Sequence, residues 1–147
     1  FMPCVGVLVL AFILAHPGRV KTLRAEFDRS RFPVDAATFL SQKGSGRPIK
    51  LYSSWQWGGY LIYRLWPSLA VFDDGRTDFY GPAFVEEGLR VWDACPDWSN
   101  TLERYRVNGA LLPVDSALAT VLRERRDWKP VYQDRIAVLF ERTEKAR

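Results

Sequence analysis

Three short apolar runs of β-strand type alternate with helical patterns in this chain, and this alternation limits the fold more than any other feature. The runs lie at 49–53, 69–74 and 107–114. The second run is continuously apolar, which is typical of a strand covered on both faces. Strands that alternate with helices favour right-handed crossovers and parallel pairing. The sequence therefore predicts an α/β fold with a three-layer, mostly parallel sheet.

Helical periodicity predicts a short helix after a turn at residues 55–59 and another helix over 82–94. An apolar stripe that ends at Leu65 and Trp66 marks the first helix. In the second helix the apolar side chains recur at i, i+4 and i+7, and we expect them to pack on the sheet. These side chains are Val85, Leu89 and Trp92.

Three further helices and a closing hairpin complete the predicted domain. Asn100 is expected to cap a helix over 99–105, with Glu103 reaching back to it. Two β-rich runs around "QDR", at 129–142, predict a hairpin of antiparallel edge strands. The remaining helices are predicted at 32–42 and at 115–128, the latter capped by Asp115 or Ser116.

The first fifteen residues, "FMPCVGVLVLAFILA", contain no charged side chain. As a helix they would span about 22 Å, short of a bilayer core of about 30 Å. We interpret them as the end of a longer transmembrane helix; a trimmed signal peptide and a buried helix of a soluble protein are the alternatives. The predicted organisation is a transmembrane helix end at 1–18, a juxtamembrane linker at 19–31, an α/β domain at 32–142 and a disordered tail at 143–147.

The chain is basic, with a formal net charge of +4. The charges are scattered and accompany no nucleic-acid-binding motif, so no nucleic-acid partner is expected. Five basic side chains lie within 19–31. By the positive-inside rule they favour the cytoplasmic side, although whole domains cross membranes largely regardless of charge. The run "RERR" at 123–126 is interpreted as a solvated helix face or as a surface near anionic headgroups.

Residues that carry catalysis or bind metals are few. His16 is the only histidine, and Cys4 and Cys95 are the only cysteines. These numbers argue against a disulfide framework, a histidine-cluster zinc site and a catalytic triad. Neither G-x-G-x-x-G nor G-x-x-x-x-G-K-[ST] occurs at the expected place. We therefore expect no cofactor, no bound metal and no catalytic residue in these 147 residues.

The ends of the first two predicted strands carry residue types that suit sugar binding. In "SWQWGG", indole faces fit the apolar surfaces of a sugar ring, and the glutamine can donate and accept hydrogen bonds. The two glycines allow a sharp turn or a close approach of the backbone. In "FDDGR", successive aspartates point to opposite faces, so one of them is expected to face a cleft. The candidate substrate-binding residues are Trp55, Gln56, Trp57, Gly58, Gly59, Asp73, Asp74 and Arg76.

Parallel strands would bring both segments to the carboxyl edge of the sheet, where open α/β sheets bind ligands. A purely structural interpretation stands beside this one. The tryptophans would cap the core, the glycines would form the turn, and Arg76 would pair with a neighbouring aspartate. A divalent cation held by Asp73 and Asp74 is a third interpretation.

The same segments resemble a known family. A strand leading to "SWQWGGYLI", a strand ending in "FDDGR", then "L..Y.V.....P" and a closing "W..VY.D..AVLF.R" resemble the soluble C-terminal domain of bacterial multi-spanning membrane proteins of the GT-C glycosyltransferase type. This resemblance covers about residues 32–142. More distantly, the tryptophan segment is similar to the WWDYG turn of oligosaccharyltransferase catalytic subunits, which grips the hydroxyl of an acceptor Ser or Thr.

Within that turn, Trp55, Trp57 and Gly58 match the second tryptophan, the tyrosine and the glycine. Ser54 and Gln56 stand in place of the first tryptophan and the aspartate. The resemblance implies a domain on the extracytoplasmic side of the bacterial inner membrane. It also implies a polyprenyl-phosphate sugar donor, and catalytic carboxylates in the membrane-spanning half of the same protein. The implied partners are membrane lipid, that membrane-spanning half, the donor and an unknown acceptor.

The leading hypothesis is a domain that positions the acceptor or covers the active site of a membrane glycosyltransferase-like protein. A non-catalytic, membrane-anchored binding or interaction domain is the alternative from another class. A soluble small-molecule enzyme is a third hypothesis, disfavoured by the missing nucleophile, histidine and cofactor motifs.

Overall fold

A five-stranded mixed sheet forms the centre of the computed structural model, which describes residues 26–43 and 48–143. β1 pairs in parallel with β2 and β3, whereas β5 runs antiparallel to β3 and β4. The α/β class is confirmed, but only two of these four pairings are parallel because the closing hairpin places β5 beside β3. The strands are β1 (Ile49–Ser53), β2 (Leu69–Val71), β3 (Gly109–Pro113), β4 (Trp128–Gln133) and β5 (Ala137–Arg142), in the order β2-β1-β3-β5-β4.

Six helices occur in the described ranges, and the longer ones cover both faces of the sheet. α1 and α2 bury apolar side chains on one face, with Leu51, Leu111 and Leu139 of the sheet. α4, α5 and α6 cover the other face, over Leu112 and Phe140. The predicted three layers are therefore present. The helices are α1 (Val34–Lys43), α2 (Trp55–Leu65), α3 (Thr77–Tyr80), α4 (Pro82–Trp92), α5 (Trp98–Arg104) and α6 (Ala117–Glu124).

The second strand is shorter than predicted and lies at an edge of the sheet. It ends at Val71 instead of Asp74, and its outer side has no neighbouring strand among the described residues. Leu69 is buried, but Ala70 is exposed. An apolar run predicted complete burial, yet the chain turns away after Phe72, whose N–H still donates to the carbonyl of Leu51. The prediction that both hairpin strands are edge strands is corrected too: β4 lies at the other edge of the sheet, whereas β5 lies between β3 and β4.

α2 begins at Trp55, so residues 55–59 form the first turns of the helix and not a turn that precedes it. The buried stripe of α2 starts with Trp57 and Gly58 and continues through Leu61 and Leu65. Trp66, predicted to belong to this stripe, is exposed. Because the helix begins five residues earlier than predicted, Trp57 and Gly58 become members of its buried stripe.

The cap predicted for α5 is also wrong. The helix begins at Trp98 after Asp97, and Asn100 lies within it. The buried side chains of Trp98, Thr101 and Leu102 fix the phase of this helix. Glu103 pairs with Arg142 of β5 instead of reaching back to Asn100. For α6, the cap is Ser116, whose hydroxyl oxygen accepts a hydrogen bond from the N–H of Ala119.

Several predictions concern residues outside the described ranges. These are the transmembrane helix end at 1–18, residues 19–25 of the linker, and 144–147 of the tail. Within 26–43 and 48–143, no helix combines the length and the apolar character needed to span a bilayer.

Candidate functional site

A cleft of about 220 Å³ opens at the carboxyl ends of β1 and β2. Tyr52 and Ser53 at the end of β1 form its floor, and Phe72 and Asp73 follow β2. Trp55, the first residue of α2, lies at the cleft, opposite α4. The cleft therefore occupies the edge of the sheet where open α/β folds bind ligands.

Gly58 allows α2 to lie directly against the loop that follows β2. A Cβ atom at this position would lie 2.2 Å from the carbonyl oxygen of Asp73 and 2.6 Å from the Cα of Asp74. Because the obstructing atoms belong to the backbone, no side-chain rotation could make room for the added Cβ atom. Gly58 thus fixes the spacing between Trp55 and Asp73 across the cleft. Gly59 has open space around it and makes no such contact.

The two tryptophans of "SWQWGG" lie in different environments. Trp57 is 6% exposed, and its indole N–H donates to the carbonyl of Arg31 at 2.9 Å. Trp55 is 52% exposed and contributes to the wall of the cleft. Gln56 is exposed and is not among the residues that line the cleft. Of the three, Trp55 alone presents its side chain to the cleft.

The two aspartates of "FDDGR" also separate. Asp73 lines the cleft, and its carboxylate accepts a hydrogen bond from the N–H of Gly75 at 2.8 Å. Gly75 has φ = 86°, a left-handed conformation that glycine adopts without strain. This turn holds one oxygen of the Asp73 carboxylate against the loop that follows β2. Asp73 therefore lines the cleft and Asp74 does not, but both lie in the loop beyond Val71, so the alternation of side chains along a strand does not account for the difference.

Asp74 and Arg76 form an ion pair of their own. The Arg76 Nε donates to Asp74 Oδ2 at 2.8 Å, and a terminal guanidinium nitrogen lies 2.7 Å from the same oxygen. The hydrogen bonds from the Arg76 side chain lower the pKa of Asp74. The pair closes the loop between β2 and α3, which is the structural interpretation of these two residues. Among the described residues, no group of three or more His, Cys, Asp or Glu side chains could hold a metal ion.

The far wall of the cleft consists of residues that the sequence analysis assigned to packing. Val85, Leu89 and Trp92 of α4 line the cleft, although their spacing predicted contact with the sheet. Leu89 is exposed, and Val91 is the buried residue of α4. The stripe is spaced like a core stripe, so only the position of α4 over the sheet distinguishes a cleft wall from a core. In the sequence, the signal that this stripe borders solvent was the charged residue Asp93 directly after Trp92.

Tyr52 connects α4 to the sheet beneath the cleft. Its hydroxyl donates to the carbonyl of Gly88 at 2.9 Å. Burial raises the pKa of Tyr52 above its ordinary value, and the negative charges of Asp73 and Asp93 act in the same direction. The phenol therefore stays neutral and remains a hydrogen-bond donor at physiological pH. A Cβ atom at Gly88 would lie 3.4 Å from the Phe72 ring, at the limit of ordinary van der Waals contact.

The cleft combines aromatic walls with a single carboxylate. Trp55, Phe72 and Trp92 offer apolar surface, and Asp73 offers an acceptor for hydroxyl or amide donors. Such a site suits a group with an apolar face and polar edges, as in a sugar ring or an acceptor side chain.

The comparisons with known proteins concern the fold. No protein family model and no curated protein sequence matches the chain. Among solved structures, the chain is similar to the C-terminal globular domain of an oligosaccharyltransferase from Archaeoglobus fulgidus, with a TM-score of 0.58 and 10% sequence identity. The similarity covers 75% of this chain and 95% of that one. The resemblance to oligosaccharyltransferases drawn from the sequence is confirmed at the level of the fold.

Proposed function

We propose that this chain contains the extracytoplasmic domain of an integral membrane glycosyltransferase-like protein of the bacterial inner membrane. In this proposal the domain positions an acceptor, or covers the active site, for sugar transfer from a polyprenyl-phosphate donor. The membrane-spanning half of the same protein would carry the catalytic carboxylates. The observation that carries the proposal is the convergence of Trp55 and Asp73 on one cleft at the carboxyl edge of the sheet.

The predicted site residues then divide into two roles. Trp55 stacks against an apolar face of the acceptor or of the sugar, and Asp73 accepts a hydrogen bond from one of its hydroxyl or amide groups. The others support this arrangement or border it. Trp57, Gly58, Asp74 and Arg76 hold α2 and the loop in place, while Gln56 and Gly59 lie on the exposed surface of α2.

Substitution of Trp55 in the complete membrane protein tests the proposal. Cells producing it would be fed a tritiated hexose, and transfer of label from the polyprenyl-phosphate-linked pool to acceptor material would be measured in isolated membranes. We expect Trp55→Ala to reduce transfer roughly two- to tenfold, because one aromatic stacking contact contributes about 0.5–1.5 kcal/mol.

Gln56→Ala is the matched control, since Gln56 is the exposed neighbour of Trp55 outside the cleft wall. It should leave transfer close to the wild-type level. Equal transfer by the Trp55→Ala and wild-type proteins would refute the role of the cleft. If the wild-type protein transfers no label, the alternative of a non-catalytic binding domain replaces the proposal.

A further inference from the structure

A second group of exposed aromatic side chains lies at the other end of α2, away from the cleft. Tyr63 is 74% exposed and Trp66 is 72% exposed. Phe27 packs beside Tyr63, with its ring centroid 5.9 Å from that of Tyr63. Large aromatic rings gathered at one place on a surface usually mark a contact with a partner or a membrane.

Two arginines line the hollows beside these rings. Arg64 lines the hollow between Phe27 and Tyr63 and also the hollow beside Trp66, so it connects the two. Arg29 lines the first hollow and pairs with Asp35. Glu26 lies in the same hollow, so Glu26 and Asp35 together balance the two arginines, and the basic excess of this region comes from other side chains of residues 19–31. We call Phe27, Arg29, Tyr63, Arg64 and Trp66 the arginine–aromatic patch.

The patch lies where the preceding part of the chain joins the domain. Phe27 is fixed there by two aromatic contacts. Its ring centroid lies 4.6 Å from that of Tyr60 and 5.1 Å from that of Phe32. The hydrogen bond from the indole N–H of Trp57 to the carbonyl of Arg31 holds the same segment against α2. In sequence, residues 19–31 contain five basic and two acidic side chains, an excess of three positive charges directly after an uncharged apolar run.

We infer that the arginine–aromatic patch docks on the headgroup layer of an anionic lipid bilayer. Tyr and Trp rings prefer the headgroup level of a membrane, where one end of the ring is apolar and the other is hydrated. Basic side chains beside them are attracted to anionic headgroups. The 11 residues of α2 span about 16 Å, so docking keeps the cleft, at the opposite end of the helix, away from the contact. This inference does not depend on what the cleft binds.

The run at 123–126 offers a competing membrane surface. It includes the end of α6, and α6 covers the opposite face of the sheet from α2. Arg125 is engaged with Asp127, and Arg123 donates to the carbonyl of Val114. No exposed large apolar side chain of the described residues lies in or beside this run. The arginine–aromatic patch has the rings that the run lacks.

Hydroxyl-radical footprinting of the full 147-residue chain in nanodiscs tests the inference. Phe79 is the internal reference, because it is also 74% exposed but lies in α3 on the cleft side. In phosphatidylglycerol nanodiscs at low salt, modification of Tyr63 and Trp66 should fall at least about threefold relative to Phe79, since interfacial rings sit at headgroup level. In phosphatidylcholine nanodiscs, or in phosphatidylglycerol nanodiscs at about 1 M salt, the protection should weaken because charge attraction is reduced or screened.

Charge-reversal variants locate the contact. Arg64→Glu should restore modification of Tyr63 and Trp66 in phosphatidylglycerol nanodiscs, whereas the matched control Arg126→Glu should leave the protection intact. The inference is overturned if these rings are modified like Phe79 in the anionic nanodiscs. It is also overturned if protection is equal in the neutral nanodiscs, which would indicate a second copy of the chain or another protein segment as the cover. An Arg126→Glu effect as large as that of Arg64→Glu would assign the membrane contact to the other face.

Discussion

Trp57 and Gly58 lie on the inner side of α2, whereas Trp55 and Gly59 lie on its outer side. On the inner side the indole is buried and the glycine touches the backbone of the neighbouring loop. On the outer side the indole borders an open cleft and the glycine has free space around it. The inner tryptophan and glycine therefore maintain the fold, whereas on the outer side Trp55 forms part of a candidate binding surface and Gly59 is only exposed. The comparison shows that residue type alone does not separate these roles.

The tryptophan pair gives the largest expected difference between the two sides. Trp57→Ala should lower the free energy of unfolding by about 3–5 kcal/mol, because it leaves a cavity and removes the hydrogen bond to Arg31. Trp55→Ala should change it by less than about 1 kcal/mol, because the side chain is half exposed. Urea unfolding of the full chain, followed by circular dichroism, measures both. Equal losses would show that Trp55 belongs to the core and would remove it from the proposed site.

The glycine pair gives the next largest difference, with opposite signs. Gly58→Ala should destabilise the domain by about 1–3 kcal/mol or more, because its methyl group would collide with the backbone of Asp73 and Asp74. Gly59→Ala should stabilise it by roughly 0.5–1 kcal/mol, because alanine loses less conformational freedom in a helix. Thermal unfolding of the two variants measures both changes in stability. A Gly58→Ala protein as stable as the wild type would mean that α2 and the loop are not in close contact.

The smallest expected effect concerns the Asp74–Arg76 ion pair beside the inner side of α2. Arg76→Gln should lower the stability at neutral pH only slightly, because Arg76 is largely exposed and its charge is screened by water. The pKa of Asp74 is lowered in the folded state, so the contribution of the pair is complete above the ordinary value of 3.8. It is lost as the pH falls through the folded pKa.

The difference in unfolding free energy between the wild type and Arg76→Gln should therefore shrink when the pH is lowered below 3.8. Asp134→Asn is the comparison variant, because it removes a carboxylate that is not paired with an arginine. The Asp134 carboxylate lies in the β4–β5 turn and accepts hydrogen bonds from the backbone N–H groups of Ile136 and Ala137. A wild-type to Arg76→Gln difference that stays constant with pH would argue against the ion pair.

Several features could be predicted from the sequence because they depend on neighbours in the chain. The β-type run at 49–53 marked β1, the helical pattern after Asp115 and Ser116 marked α6, and "QDR" marked the hairpin turn. These are local properties of the backbone, so the order of the residues determines them.

Other features depend on which elements come to lie together. The edge position of β2, the separation of Trp55 from Trp57, and the use of Val85, Leu89 and Trp92 as a cleft wall were not determined by any local pattern. An apolar side chain can be buried in a core or line a cleft with the same helical spacing. The difference is made by the residues opposite it, which are distant in sequence and are brought there only when α2 and α4 pack at the carboxyl edge of the sheet.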